Sequence, residues 1–272
     1  MIGVKIQGRL GNQLFQIAFA SVLAKRLNTG YYLCRKPWRG VLALKYFDVN
    51  GLNKFSFLTK FLTGHFLKVP GILKPVAISN DISVEEQTPL LTNNAYYIGF
   101  FQSEKYYIGY EKYVQELFCI KGKYQQLFES SMGEYMRRKK SIAVHIRRGD
   151  YLNQEGEDIS LSIPYYKKSL SRIADVQSYN VIFVSDDIEW VKQQFTEFPD
   201  ALFCSNHLMV DLQILMHADV LVLANSSFSW WGAYLNKKNA VVYAPYYWLG
   251  NKVKGTSPKD ILCRNWIGID DN

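Results

Sequence analysis

Short β-branched, apolar runs recur along this chain, each followed by a longer stretch with apolar residues at helical spacing, and this leaves few folds open. Such alternation is the pattern of parallel strands connected by crossover helices, so the expected class is α/β. The first unit reads as a strand over 3–6, a glycine-bearing turn Gly8-Arg9-Leu10-Gly11, and a helix over 12–27 with Leu14, Ile17, Ala18, Ser21 and Ala24 at helical spacing. Further strands are expected at 95–100, 141–146, 180–185, 220–224 and 240–243. The last four are closely spaced, with helices expected over 164–174 and 188–195, which is the signature of a doubly wound sheet. Between 50 and 87 the pattern loosens around Gly64, Pro70, Gly71 and Pro75, and irregular or short helical structure is expected. The basic run Arg137-Arg138-Lys139-Lys140 precedes the strand at 141 and suggests a boundary. The expected organisation is an N-terminal α/β domain over 1–140, a second domain over 141–250 and a tail over 251–272.

Composition excludes several classes. A content of 48% hydrophobic and 21% charged residues is that of a globular protein, not of a disordered tail, a collagen or a coiled coil. The 32 Lys and Arg against 24 Asp and Glu leave a formal charge of +8, which points to an anionic partner: nucleic acid, a phosphorylated small molecule or a membrane surface. Cys34, Cys119, Cys204 and Cys263 form neither a CxxC pair nor a disulfide framework. The opening residues carry no signal-peptide core, and the uncharged stretch 220–236 is too short and polar to span a bilayer. The expectation is a cytoplasmic protein, soluble or peripheral to a membrane.

Four segments can carry chemistry. His145-Ile146-Arg147-Arg148-Gly149-Asp150 places two arginines, a glycine and a carboxylate at a strand's C-terminal end, where open α/β sheets bind ligands. Arginine's fork of donors matches a phosphate, so a diphosphate clamp fits; so does a solvated strand end in which Asp150 pairs with an arginine. Asn225-Ser226-Ser227-Phe228-Ser229-Trp230-Trp231-Gly232 reads as a strand end followed by a helix N-terminus. Its backbone N–H groups and hydroxyls suit a phosphate, or Ser226 serves as a cap and the Trp pair packs in the core. Gly8-x-x-Gly11-Asn12-Gln13 sits on a strand-to-helix turn but lacks the GxGxxG spacing. Phe183-Val184-Ser185-Asp186-Asp187 puts two carboxylates at a strand end, to read a base edge or ribose, to bind a metal or to cap the next helix. GxxxxGK[ST], HExxH, GxSxG and Asp-x-Asp are all absent, and the four histidines have no ligand spacing, so no metal is expected.

Taken in order, Gly8 to Gln16, Gly99-Phe100-Phe101-Gln102-Ser103-Glu104-Lys105-Tyr106, His145 to Asp150, Phe183 to Asp187 and Asn225 to Gly232 resemble the motif set of the α-1,2-fucosyltransferases of glycosyltransferase family 11. The resemblance implies a GT-B architecture of two Rossmann-like halves with a donor cleft between them. It also implies GDP-β-L-fucose as donor, a galactoside-containing oligosaccharide or lipid-linked glycan as acceptor, inversion at the anomeric carbon, and no metal or other cofactor. By the same resemblance Arg147 would stabilise the leaving diphosphate with Arg148 beside it, and His145 would lie against the nucleotide. Asp186 would read guanine, Ser226, Ser227 and Phe228 would line the donor site, and Gly11 and Asn12 would face the reaction centre. Asp150 is a candidate general base, against a role in orienting Arg148.

The resemblance further suggests a bacterial-type enzyme of surface glycan synthesis, such as O-antigen or capsule. Phe55, Leu58, Phe61, Leu62, Phe66 and Leu67 among Lys54, Lys60 and Lys68 would form either a lipid-docking surface or a cover for the N-terminal core. The alternatives are a transferase using the same donor on another acceptor hydroxyl and, more remotely, a basic nucleic-acid-binding protein. A basic, 15% aromatic chain suits nucleic acid, but no RNP, KH or zinc-knuckle pattern is present, so no nucleic-acid partner is expected.

Overall fold

A computed structural model describes residues 1–34, 40–50, 73–154, 156–249 and 258–270. It divides into two compact units, the first made of residues 1–121 and 258–261, the second of residues 122–257 and 262–272. The apolar run proposed at 54–68 lies outside the described residues.

In the first unit, strands β1 (Ile2–Lys5), β2 (Tyr31–Cys34), β4 (Lys74–Ala77) and β5 (Ala95–Ile98) form a parallel sheet in the order β2-β1-β5-β4. Strands β3 (Phe47–Val49) and β6 (Phe118–Ile120) pair antiparallel beside it. The helix Leu10–Arg26 follows β1, and every residue from Leu10 to Ala24 except Asn12 is buried. A helix apolar on all sides is a core element. Lys25 and Arg26 in its last turn complement the partial negative charge there.

In the second unit, β7 (Ser141–Ile146), β8 (Asn180–Ser185), β9 (Leu202–Cys204), β10 (Val220–Val222), β11 (Val241–Pro245) and β12 (Ile267–Ile269) form one parallel sheet in the order β12-β11-β10-β7-β8-β9. Counted from β7 this is the doubly wound order, with a topological switch between β7 and β10. Side chains alternate between two buried faces. Ile142, Val144, Val181, Phe183, Val220 and Val222 join one core, and Ala143, Ile182, Val184, Leu221 and Leu223 the other. A sheet covered on both faces explains why its central strands read as nearly unbroken apolar runs.

Two organisational expectations are corrected. The units divide after Lys121, not at 140, because Phe128, Met132 and Met136 pack into the second core. These positions recur every four residues and so mark one helical face. The described part of the expected tail, 258–270, is built into the fold: 258–261 belongs to the first unit, and β12 lies at an edge of the second sheet.

Candidate active site

In a parallel sheet all strands end on the same side, so neighbouring strands bring their following loops together. Because β10, β7 and β8 are adjacent, the segments after them converge: 145–150, 225–232 and 185–187. The motifs of the second unit thus meet at its switch point.

Arg147 Nη1 lies 2.9 Å from Asp186 Oδ2, and its Nη2 pairs with Asp150. Its neighbour Arg148 donates from Nε to Asp187 Oδ2 at 3.1 Å and from its backbone N–H to Asp186 Oδ1 at 3.0 Å. The Arg148 guanidinium also stacks on Trp190, 3.4 Å from the ring centroid, a contact worth about 1 kcal/mol at a partly exposed site. Of the two roles open to Asp150, the pairing with Arg148 is not the one formed: Asp150 pairs with Arg147, and Asp187 with Trp190 holds Arg148. A Cβ on Gly149 would stand 2.5 Å from Asp186 Oδ2, so that carboxylate would have to shift.

Across the switch, Ser226 caps the helix Ser227–Tyr234 by accepting from Phe228 N–H at 3.3 Å, and Ser227 opens its first turn. Asn225 is buried and donates to the Ile159 carbonyl at 2.7 Å. Trp230 and Trp231 are fully buried, which settles the Trp pair as core. Phe228 meets His145 with ring centroids 5.5 Å apart. Burial, aided by the nearby Arg147 charge, pushes the His145 imidazole down to about 3, so it is neutral at ordinary pH and offers no positive charge to a ligand.

The first unit repeats the arrangement with different chemistry. Its switch lies between β1 and β5, so 7–16 and 99–106 meet. Gln16 bonds both sides, accepting from Gln7 N–H at 3.0 Å and donating to the Gly99 carbonyl at 3.1 Å. Gln13 donates to the Gly8 carbonyl at 3.1 Å and accepts from Ala43 N–H at 3.2 Å. These two buried glutamines are scaffolding, whereas Asn12 is half-buried and accepts from Gln102 Nε2 at 2.9 Å. Gly11, expected in the turn, is buried in the first turn of the helix, and it is Gly8 that takes a positive φ of 73°. Gln102 is the functional candidate that motif reading left without a role. Its signal was its place in the segment after β5.

Chemically, the second unit offers two fixed guanidiniums and a helix N-terminus, an arrangement that holds an anion. The first offers neutral amides, which suit hydroxyl groups.

The family model of glycosyl transferase family 11 matches residues 1–270. An alpha-1,2-colitosyltransferase of Escherichia coli is 27% identical over 99% of this chain and 99% of its own length. A galactoside 2-alpha-L-fucosyltransferase of Caenorhabditis elegans is 27% identical over 53% of this chain and 43% of its own length. Among solved structures, NodZ alpha-1,6-fucosyltransferase soaked with GDP-fucose, an enzyme of Bradyrhizobium, superposes with a TM-score of 0.53 at 14% identity, covering 86% of this chain and 92% of that one. That likeness is one of fold, two Rossmann-like α/β units of the GT-B type.

Proposed function

The chain belongs to glycosyl transferase family 11, and from that premise we propose that it transfers L-fucose from GDP-β-L-fucose to the 2-hydroxyl of a terminal galactose-type acceptor, with inversion and without a metal ion. The observation that carries the donor half is the meeting of Arg147, Arg148 and the capped helix N-terminus at the β7/β10 switch. Support for the sugar and linkage comes from the relatives' names, an α-1,2 transferase along the full length and a galactoside 2-fucosyltransferase over half of it.

Before a donor arrives, the two arginines face three carboxylates, Asp150, Asp186 and Asp187. A diphosphate therefore binds by taking guanidinium donors from a carboxylate. Asp150 is the one placed to yield, because its side chain is 41% exposed against 26% for Asp186. As the bond from C1 to the diphosphate breaks, charge grows on the leaving oxygen, and fixed donors stabilise that state more than the ground state. The acceptor 2-hydroxyl attacks C1 from the opposite face and its proton passes to a base. Asp150, released from Arg147, is our candidate for that base.

A second reading follows from the full-length relative: the sugar is colitose. Colitose is fucose without its 3-hydroxyl, and a site built to bond that hydroxyl rejects the analogue lacking it by a large factor. The experiment is an incubation with GDP-fucose and GDP-colitose in separate and competing reactions, with lactose and other galactosides, in EDTA. Products are followed by mass spectrometry and NMR. An α-1,2-fucosylated galactoside is the expected product; turnover of GDP-colitose alone establishes the second reading, and consumption of neither donor overturns both.

A further inference from the structure

The loop after β5 holds an unusual backbone. Phe101 has φ of 56°, in the left-handed region that a bulky side chain adopts only when its surroundings enforce it. Here the enforcement is visible: the Phe101 ring is fully buried and stacks on Phe19 with centroids 3.9 Å apart and planes 4° from parallel. Two residues earlier, Gly99 lies so close to the Ile78 carbonyl that a Cβ would stand 2.7 Å from its oxygen. The strain lies directly before Gln102, the residue whose amide reaches Asn12.

Gln102 belongs to a chain of three amides. Asn80 Nδ2 donates to Gln102 Oε1 at 2.9 Å, and Gln102 Nε2 donates to Asn12 Oδ1 at 2.9 Å. The chain has a direction, with each side chain accepting from the one before it. Asn12 therefore has its oxygen engaged, and its Nδ2 lies along Gly8, where any Cβ would stand 2.5 Å away. Asn80 is anchored in turn, because its carbonyl accepts from the Lys259 N–H at 2.8 Å. The strap 258–261 that brings Lys259 is pinned through Asp260, which accepts from Lys105 Nζ at 2.8 Å and from the Val84 N–H at 2.8 Å.

We propose that Gln102 is a positioning residue of the transfer reaction, which fixes the Asn12 amide with Nδ2 as the group presented to substrate and so makes Asn12 a hydrogen-bond donor there. This rests on the reading that Asn12 faces the reacting centre. Asn80 and the strap hold Gln102 in register. An amide locked as donor serves an oxygen that is gaining charge or a sugar hydroxyl acting as acceptor, and takes no part in removing a proton.

The test compares Asn12→Ala, Gln102→Ala, Gln102→Glu and the double variant Asn12→Ala/Gln102→Ala, reading kcat, KM for each substrate, donor Kd and thermal midpoint. Displacing a positioned group by about 1 Å can cost about a hundredfold. Gln102→Ala is thus expected to lower kcat between about tenfold and a hundredfold, with donor Kd within about twofold. The double variant should be no slower than Asn12→Ala alone, since Gln102 acts only through Asn12. Gln102→Glu keeps the bond from Asn80 and the shape, but as a carboxylate it cannot donate to Asn12. Its kcat should fall at pH 8 and recover as the pH drops and the introduced carboxyl regains a proton to donate, a pH profile absent from the parent. If Gln102→Ala lowers the thermal midpoint too far to assay, Gln102→Glu decides alone. Full activity in Asn12→Ala sinks the reading of Asn12 and this proposal with it, while leaving the donor site untouched. Loss in Asn12→Ala with unchanged kcat in both Gln102 variants, or a double variant whose losses multiply, overturns the proposal and leaves that reading standing.

Discussion

The two units follow one plan and fill it with opposite chemistry. Each has a parallel sheet with a switch point, between β1 and β5 in the first unit and between β7 and β10 in the second, and each gathers its motif residues there. At the first switch the meeting groups are amides: Asn12, Gln13, Gln16, Gln102 and Asn80. At the second they are charges: Arg147 and Arg148 against Asp150, Asp186 and Asp187. Guanidiniums give a strong, fork-shaped attraction to a phosphate, whereas neutral amides bind more weakly and match uncharged groups through their donor and acceptor directions. The division suits a reaction that joins an anionic donor to an uncharged, hydroxyl-bearing acceptor. Topology supplies the location, and side-chain chemistry decides what is held there.

The comparison breaks most sharply at Arg147. Replacing it with Ala removes the guanidinium that meets both Asp150 and Asp186, and transfer should fall by about a thousandfold or more, the scale of losing a principal charge-stabilising donor. Circular dichroism should stay unchanged; retained turnover would remove Arg147 from the chemistry. Next comes Asp150→Asn, which separates its two roles. If Asp150 takes the proton, kcat drops about a hundredfold or more while donor KM holds. If it only holds Arg147, donor KM rises and kcat is nearly kept.

Gly149→Ala should act on the second unit alone. The added Cβ collides with Asp186 Oδ2, so the carboxylate must move and Arg147 with it. We expect a loss of about 1–3 kcal/mol, the usual range for overpacking, and weaker donor binding with acceptor KM unchanged. Unaltered donor affinity would show that Asp186 does not set the arginine geometry. A further effect is on acid stability. The folded state holds His145 at about 3, below its ordinary 6.5, so the unfolded chain takes up that proton first and stability falls as pH drops from about 6.5 toward about 3. Asp211 works against this, because burial raises it from 3.8 to about 6, and its contribution is present below about 3.8 and lost as pH rises through about 6. Thermal midpoints of the parent and of His145→Gln between pH 8 and pH 4 should therefore diverge on the acid side. Parallel curves would show that His145 is not buried as described.

The strands legible in the sequence were those covered on both faces. Ser141–Ile146 and Asn180–Ser185 agree with expectation at both ends because central parallel strands are apolar throughout. The strands missed, Tyr31–Cys34, Phe47–Val49, Lys74–Ala77, Phe118–Ile120, Leu202–Cys204 and Ile267–Ile269, all lie at sheet edges. An edge strand needs fewer apolar residues and tolerates a proline such as Pro75, so its pattern merges with loop. At the site, the motif positions could be read, but their pairing could not. Nothing in the spacing says that Asp150 bonds Arg147 rather than Arg148, because that depends on the turn over Gly149–Asn153. Among the described residues no helix is long and apolar enough to cross a membrane.

The strap has a consequence for how the molecule comes into being. The first unit contains residues 258–261, so a ribosome has made residues 122–257 of the second unit before Asp260 can reach Lys105 and Lys259 can reach Asn80. The second unit likewise waits for β12. The half synthesised first is thus not finished first: it waits for a strap made after residues 122–257 of the second unit. Until then the nascent β1–β5 sheet stands without its last pin, and a chain cut after Lys121 holds only an incomplete first unit.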